Sequence, residues 1–143
     1  MIIDIDFFKQ INDNYGHQIG DWALQEVSRV IRTSLRQTDV PCRFGGDEMV
    51  IMLPSTNSEE SKIIAKRLQE RIGALVLPTK YTGGEEIHIS ISQGIASYPT
   101  DAATSEELLE KADQALYVVK KNGRGHFAVY REVADQTQDY KKE

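Results

Sequence analysis

The chain has 143 residues, of which 40% are hydrophobic and 27% charged, and its formal net charge is −5. This length suits one domain with its own core, and the acidic balance argues against a protein that coats nucleic acid polymers. The sequence has no apolar stretch as long as a membrane span and no secretory signal, and its one cysteine, Cys42, excludes an internal disulfide. We therefore expect a cytoplasmic domain without membrane contact and with a buried Cys42 thiol. A longer parent protein could still be anchored to a membrane through further N-terminal residues.

The chain begins with a pattern typical of a strand followed by helical structure. An apolar, β-branched run at residues 1–6 predicts the strand. Residues 7–20 are polar and contain asparagines and glycines, so a short helical turn and a loop are expected there. Apolar residues spaced three and four apart then predict a helix over residues 21–35.

The middle of the chain predicts a hairpin and a second helix. Two short apolar runs flank Gly45 and Gly46 within residues 40–54, and glycine supplies the positive φ that tight hairpin turns need. A capping-box pattern at residues 56–60 precedes apolar residues at helical spacing as far as residue 75.

The last third predicts a strand, a helix and a final strand. Strict alternation marks the first strand at residues 87–92, and a second capping box opens a helix that ends at residues 122–123. The last strand covers residues 126–130, and residues 132–143 are polar and expected to be a loose tail or linker. Mixed hairpin and crossover connections predict an α+β fold over residues 1–131, with one sheet covered by helices.

Four carboxylates can meet at one end of the predicted sheet. Asp4 and Asp6 share a face of the first strand, and the hairpin turn can bring Asp47 and Glu48 beside Asp4. Clustered acids are costly unless a cation compensates them, and Mg²⁺ held by one or two carboxylates and substrate phosphates is a common solution. The simpler alternative is that each is a solvated acid at a strand end or turn.

Cations and a base-recognition pair complete the candidate site. Lys9, Lys120 and Arg124 can contact phosphates, although cations near a helix C-terminus also complement its dipole. Asn12 and Asp21 can accept the adjacent N–H donors of guanine, a pattern that adenine does not offer. Alternatively, Asp21 caps the predicted helix and Asn12 forms a turn.

An arginine and an aspartate, Arg36 and Asp39, stand just before the hairpin. They fit an anion-binding surface away from the acidic turn. The alternative is that Arg36 complements the end of a helix and Asp39 belongs to the connecting turn.

With these motifs in order, residues 1–130 resemble a GGDEF-domain diguanylate cyclase. The family signature, Gly-Gly-(Asp or Glu)-Glu-Phe after an arginine and an aromatic residue, is matched at residues 43–49, where Met49 replaces the phenylalanine. We expect Met49 to pack on the apolar side of the sheet. The stretch DIDFFKQIND at residues 4–13 also follows the family pattern, as do residues 15–21, 92–96 and 115–124.

The resemblance implies a nucleotidyl-cyclase palm of the ferredoxin-like type, with a mostly antiparallel sheet flanked by helices and without the family's first helix. It implies condensation of two GTP molecules into cyclic di-GMP and pyrophosphate across a homodimer of half-sites, each using a pair of Mg²⁺ or Mn²⁺ ions. An upstream sensory or dimerising module is expected in the parent protein. The alternative is a weak or inactive module that binds GTP or cyclic di-GMP as a sensor, although such domains tend to lose the acidic turn that this chain retains.

The resemblance also assigns individual roles. The metal ligands are Asp4, the carbonyl of Ile5, Asp47 and Glu48, and the last two are also catalytic. The residues that recognise guanine are Asn12 and Asp21. The phosphate contacts are Phe7 and Phe8 through the main chain, Lys9, Gly45, Gly46, Lys120 and Arg124. Arg36 and Asp39, with Arg67 on the next helix, match the family's inhibitory site for its product.

Overall fold

The computed structural model describes residues 1–140, and these contain a single five-stranded sheet in the order β2-β3-β1-β4-β5. The strands are β1 (Ile2–Ile5), β2 (Val40–Gly45), β3 (Glu48–Met52), β4 (Ile91–Ile95) and β5 (Phe127–Val129). Strand β1 pairs antiparallel with β3 and β4, β2 pairs antiparallel with β3, and only the β4–β5 pair is parallel. The predicted α+β fold with a mostly antiparallel sheet is confirmed.

Helices cover both faces of the sheet. They are α1 (Phe8–Tyr15), α2 (His17–Ser34), α3 (Ser58–Gly73), α4 (Ser105–Lys121) and the short α5 (Tyr130–Val133), which a 3₁₀ turn follows. Alternation along β1 sends Ile3 and Ile5 into the main core, where α2 and α3 contribute most of the partners. Ile2 points the other way and packs on Ala112 and Leu116 of α4.

Helix α4 approaches the sheet unusually closely at Gly94 of β4. A Cβ atom at this glycine would lie 2.1 Å from the Ala112 carbonyl oxygen and 2.5 Å from the Leu116 nitrogen. The backbones of α4 and β4 are therefore in direct contact, which only glycine permits. This contact fixes the height of α4, and hence of its last turn, above the end of β1.

Two element boundaries differ from the predictions. Helix α2 begins at His17 rather than at residue 21, because Gly16, at φ 88°, provides the only break between α1 and α2 and both helices bury isoleucines. The sheet strand predicted at residues 87–92 lies at Ile91–Ile95. The preceding residues pair instead with the chain after α3, where the Leu77 amide donates to the Ile87 carbonyl at 2.8 Å.

Two predictions about local environment were wrong. Cys42 is exposed rather than buried, because β2 is an edge strand and all six of its residues are exposed. The described part of the expected loose tail packs on α4, where the Tyr140 hydroxyl donates to Asp113 at 2.6 Å. Residues 141–143 lie outside the described part of the chain. By contrast, Met49 is 5% exposed and belongs to the main core, as predicted.

Among residues 1–140, we find no helix that is both long and apolar enough to cross a membrane.

Gly94→Ala should destabilise the fold by about 2–3 kcal/mol or more, because the new methyl group meets backbone atoms that cannot rotate away. Urea unfolding measures this change. Gly73→Ala is the matched control, since Gly73 ends α3 and a methyl group added there would have no neighbour within 4 Å, so this variant should be neutral or slightly stabilised. Equal unfolding free energies for the two variants would contradict the close contact.

Candidate functional site

Asp4 lies at the centre of the sheet, and its side chain is short of partners. It is 8% exposed, forms an ion pair with the Lys120 ammonium group of α4, and lies opposite Glu48 in the β1–β3 register. Its Oδ1 atom is buried and has no hydrogen-bond partner among the described residues. Burial, followed by the neighbouring Asp47 carboxyl, raises the pKa of Asp4 from 3.8 to about 6, although Lys120 opposes the shift.

The predicted hairpin turn consists of Gly46 and Asp47, which join β2 directly to β3. Gly46 takes the positive φ of 35°, and the Arg43 guanidinium group donates to its carbonyl at 2.6 and 2.9 Å. The Ile5 amide donates to the Asp47 carbonyl at 3.3 Å, which docks the turn on the end of β1. The structure therefore brings the acidic turn, the end of β1 and the last turn of α4 together.

Glu48 lies beside this group and is half-buried. Its pKa is raised, mainly by burial and further by the charges of Asp113 and Asp4, while Lys120 lowers it. Asp4, Asp47 and Glu48 thus concentrate negative charge around one ammonium group. A cation at this position would reduce the repulsion.

Asp6 has a different environment from Asp4, although both point to the same face. It is 3% exposed and accepts hydrogen bonds from the Ser90 and Ser92 hydroxyls, each at 2.6 Å, and from the Gly125 amide at 3.1 Å. The Arg124 guanidinium group lies 3.8 Å away. Because its acceptor sites are filled, Asp6 anchors the loop after α4. The sequence pattern groups Asp6 with the clustered acids and does not predict this role, although the alternating Ser90 and Ser92 at the start of β4 are a signal for it.

Two residues with side chains adopt left-handed backbone angles at this edge. Phe7 has φ 57° and Arg124 has φ 65°, and the Arg124 guanidinium group lies 5.1 Å from the centre of the Phe7 ring. Such conformations are strained and persist where surrounding contacts fix them. Phe8 and Lys9 follow in the first turn of α1, where backbone amides have no partner within the helix. The predicted phosphate contacts from both segments therefore face one another.

Asn12 and Asp21 are brought together by a glycine. A Cβ atom at Gly20 would lie 1.8 Å from Asn12 Oδ1, so the Asn12 amide group occupies the space above Gly20, next to Asp21. Asp21 is exposed and lies inside α2, whose N-cap is Gly16, so the alternative in which Asp21 caps the helix is wrong. Asn12 of α1 therefore lies against α2 at the residue directly before Asp21.

Arg36 and Asp39 lie before the first strand of the hairpin, and Arg67 contacts the end of α2 two residues before Arg36. The Arg36 guanidinium group lies 3.3 Å from the buried Asp39 carboxylate, which also accepts the Arg36 amide at 2.8 Å. Arg67 of α3 donates to the Ser34 carbonyl at 2.7 Å, at the end of α2. Strand β2 separates this cluster from Asp47 by roughly 20 Å, given about 3.3 Å per residue.

No group of three or more histidine, cysteine, aspartate or glutamate side chains within residues 1–140 forms a metal cage. The pair of Asp4 and Asp47 with the nearby Ile5 carbonyl is a smaller, all-oxygen set. Mg²⁺ is typically held by one or two carboxylates together with substrate phosphates and water. The unpartnered, buried Asp4 Oδ1 fits such an ion, whereas the set does not fit a structural zinc ion.

Comparison with known proteins agrees with this geometry. Residues 1–126 match the family model described as diguanylate cyclase, GGDEF domain. The chain belongs to the GGDEF domain family. It is 39% identical to diguanylate cyclase A of Treponema denticola over 87% of this chain and 33% of that protein. It is 37% identical to the response regulator PleD of Caulobacter vibrioides over 87% of this chain and 27% of that protein. The GGDEF domain therefore spans about a third or less of these relatives.

Solved GGDEF domains share the fold. The GGDEF domain of TpbB (YfiN) from Pseudomonas aeruginosa superposes with a TM-score of 0.85 at 32% identity, covering 97% of this chain and 80% of that one. The active GGEEF domain of a diguanylate cyclase from Vibrio cholerae gives 0.82 at 30% identity, covering 91% and 80%. The GGDEF domain of DgcB from Caulobacter crescentus, solved in complex with cyclic di-GMP, gives 0.78 at 29% identity, covering 91% and 75%.

Asp6→Ala should destabilise this GGDEF domain by about 2–3 kcal/mol, because it removes the buried carboxylate that accepts from two serine hydroxyls and from the Gly125 amide. Chemical unfolding measures the loss. Asp13→Ala removes an exposed acid of α1 and should change stability by less than about 0.5 kcal/mol. If both variants unfold like the wild type, Asp6 is not the anchor of the loop.

Proposed function

We propose that the protein is a diguanylate cyclase that condenses two GTP molecules into cyclic di-GMP with release of pyrophosphate. The observation that carries this proposal is the meeting of Asp4, Asp47 and Lys120 at the end of β1, where one buried carboxylate oxygen lacks a partner. Membership of the GGDEF family supports the same reaction.

Asp4, Asp47, Glu48 and the Ile5 carbonyl would hold the divalent ion, Mg²⁺ or Mn²⁺. When bound, it supplies positive charge against the negative charge that develops on the phosphate oxygens. The protein's own contribution is to keep these oxygens preorganised, since β1 and the docked turn fix Asp4 and Asp47 before any ligand arrives. A pair of such ions in each half-site, as the family resemblance implies, remains part of the proposal.

Lys120 and Arg124 hold the triphosphate. Lys120 pairs with Asp4, and its flexible stem lets the ammonium group turn to a phosphate oxygen. Arg124 is held over Phe7 and offers a planar fork of donors. Lys9 and the amides of Phe7, Phe8, Gly45 and Gly46 complete the phosphate contacts.

One domain binds one GTP, so the reaction requires a homodimer of half-sites. Each 3′-hydroxyl loses its proton to solvent as its oxygen forms a bond with the α-phosphorus of the opposite GTP. The bond from that phosphorus to the bridging oxygen breaks, and pyrophosphate leaves. Catalysis is then mainly alignment of the two nucleotides in addition to charge stabilisation. An upstream module in the parent protein would bring the two domains face to face.

Arg36, Asp39 and Arg67 form the product-inhibition site in this proposal. The proposal is supported by the pairing of Arg36 with Asp39 and by the bond from Arg67 to Ser34, two residues before Arg36. Arginine forks suit the phosphates and guanine edges of a cyclic dinucleotide. The DgcB domain solved with cyclic di-GMP shows that a GGDEF domain can bind this product.

The proposed reaction is tested by fusing the chain to a coiled-coil dimeriser, adding GTP and Mg²⁺, and separating the products by chromatography. We expect cyclic di-GMP from the parent fusion and from Asp13→Ala, and its loss by at least about a hundredfold in Asp47→Ala. A folded, dimeric fusion that binds GTP but forms no cyclic di-GMP would contradict the enzyme and favour a sensor. Undiminished synthesis by Asp47→Ala would contradict the metal assignment.

Asp21→Ala should weaken GTP binding by about ten- to a hundredfold and reduce the preference for GTP over ATP, because guanine loses a charged acceptor. Calorimetric titration with both nucleotides measures the change. Gln25→Ala, an exposed position one turn further along α2, is the control and should bind both like the parent. Unchanged GTP affinity in Asp21→Ala would remove this residue from the guanine site.

A further inference from the structure

Gln93 is an amide buried in the core between β4 and α3. Its side chain is completely buried, and its Nε2 donates to the Ala65 carbonyl and to Gln69 Oε1 of α3, each at 2.9 Å. Burying an amide among apolar residues is costly unless its hydrogen bonds are made. Ala65 and Gln69 together satisfy the Nε2 group, while Gln93 Oε1 has no hydrogen-bond partner among the described residues.

Gln69 continues the network to the edge of the sheet. Its Nε2 donates to the Ile91 carbonyl at 2.9 Å and to the Gly125 carbonyl at 3.1 Å. Both hydrogens of this amide group are therefore directed at backbone oxygens, and its own oxygen is occupied by Gln93. Three bonds fix the orientation of the Gln69 side chain.

Both backbone polar groups of Gly125 are therefore hydrogen-bonded. Its amide donates to Asp6 and to the Ser92 hydroxyl, each at 3.1 Å, while its carbonyl accepts from Gln69. Arg124 and Gly125 are both left-handed, at φ 65° and 69°. Glycine adopts this conformation freely, whereas Arg124 needs external contacts to stay in it. Asp6 and Gln69 supply such contacts by bonding the amide and the carbonyl of the next residue, Gly125.

We propose that Gln69 is a positioning residue for the phosphate site, because its bond to the Gly125 carbonyl holds Arg124 beside Asp6 and over Phe7. The proposal rests on the proposed function in one respect, since Arg124 is taken to contact the triphosphate. Gln69 itself touches no substrate. It acts by fixing the backbone from which the guanidinium group extends.

The experiment compares two variants of the full chain with a control. Gln69→Met keeps the length of the side chain and removes all its hydrogen bonds. Gln69→Glu keeps the acceptor for Gln93 but replaces the donor to the Ile91 and Gly125 carbonyls, so it tests the same bond if the first variant does not fold. Lys66→Met, an exposed position on the same helix, is the control.

Hydrogen exchange of the Gly125 amide measures the loop directly. We expect exchange to be about five- to tenfold faster in both Gln69 variants, with core amides of β1 unchanged. Calorimetry should show GTP affinity reduced by a similar factor and guanosine affinity unchanged, because only the phosphate contact is loosened. Lys66→Met should match the wild type in all three measurements.

The proposal would be overturned if the Gly125 amide of a folded Gln69 variant exchanged at the wild-type rate. It would also be overturned if exchange accelerated equally at Gly125 and at the core amides of β1, because this result indicates a general loss of stability. Faster exchange at Gly125 with unchanged GTP affinity would also overturn it, because the loop would then not position a phosphate contact. If the wild type binds GTP no more tightly than guanosine, the triphosphate is not recognised and the proposed function fails. The hydrogen-exchange result would still show whether the bond from Gln69 holds Gly125.

Discussion

The central strand β1 and the residue directly after it carry two buried carboxylates, and the surrounding structure must compensate both. Asp4 and Asp6 are each less than a tenth exposed, so each needs hydrogen bonds or an opposite charge. Asp6 obtains serine hydroxyls, a backbone amide and a nearby guanidinium group. Asp4 forms an ion pair with Lys120, and one of its oxygens has no hydrogen-bond partner among the described residues. The protein thus fills the acceptor sites of Asp6, whereas one oxygen of Asp4 stays without a partner, as the ion site that we propose requires.

This difference explains why distant parts of the chain meet here. Gly94 lets α4 lie directly on β4, which brings Lys120 to Asp4. The loop after α4 then turns back to Asp6 through left-handed Arg124, and the amide of Gln69 holds the following peptide from the opposite direction. The hairpin turn docks on the other flank of β1 through the Ile5 amide. Packing distances in the sheet therefore set the charge arrangement in the site.

Local patterns predicted the elements well where one face is apolar and the ends are capped, as in α3, whose Asn57 and Glu60 form the expected capping box. Local patterns gave wrong predictions where tertiary contacts determine the strand pairing or the exposure of a residue. The start of β4 was predicted too early because Ile87 and Ile89 alternate like a strand but pair outside the main sheet. Exposure of Cys42 follows from the edge position of β2, and no local pattern shows which strand is an edge. The structure brings the predicted acids and cations together, but the roles of Asp6 and Gln69 depend on contacts across the sheet.

The central claim is that Asp4 is left incomplete for a divalent ion, and binding of Mn²⁺ measured by electron paramagnetic resonance tests it most directly. The protein is titrated with Mn²⁺ in the presence of a GTP analogue that cannot react. We predict tight Mn²⁺ binding by the wild type and by Asp13→Asn, and a loss of at least about tenfold in Asp4→Asn, which retains the shape but not the charge of the ligand. Wild-type Mn²⁺ affinity in a folded Asp4→Asn variant would contradict the claim.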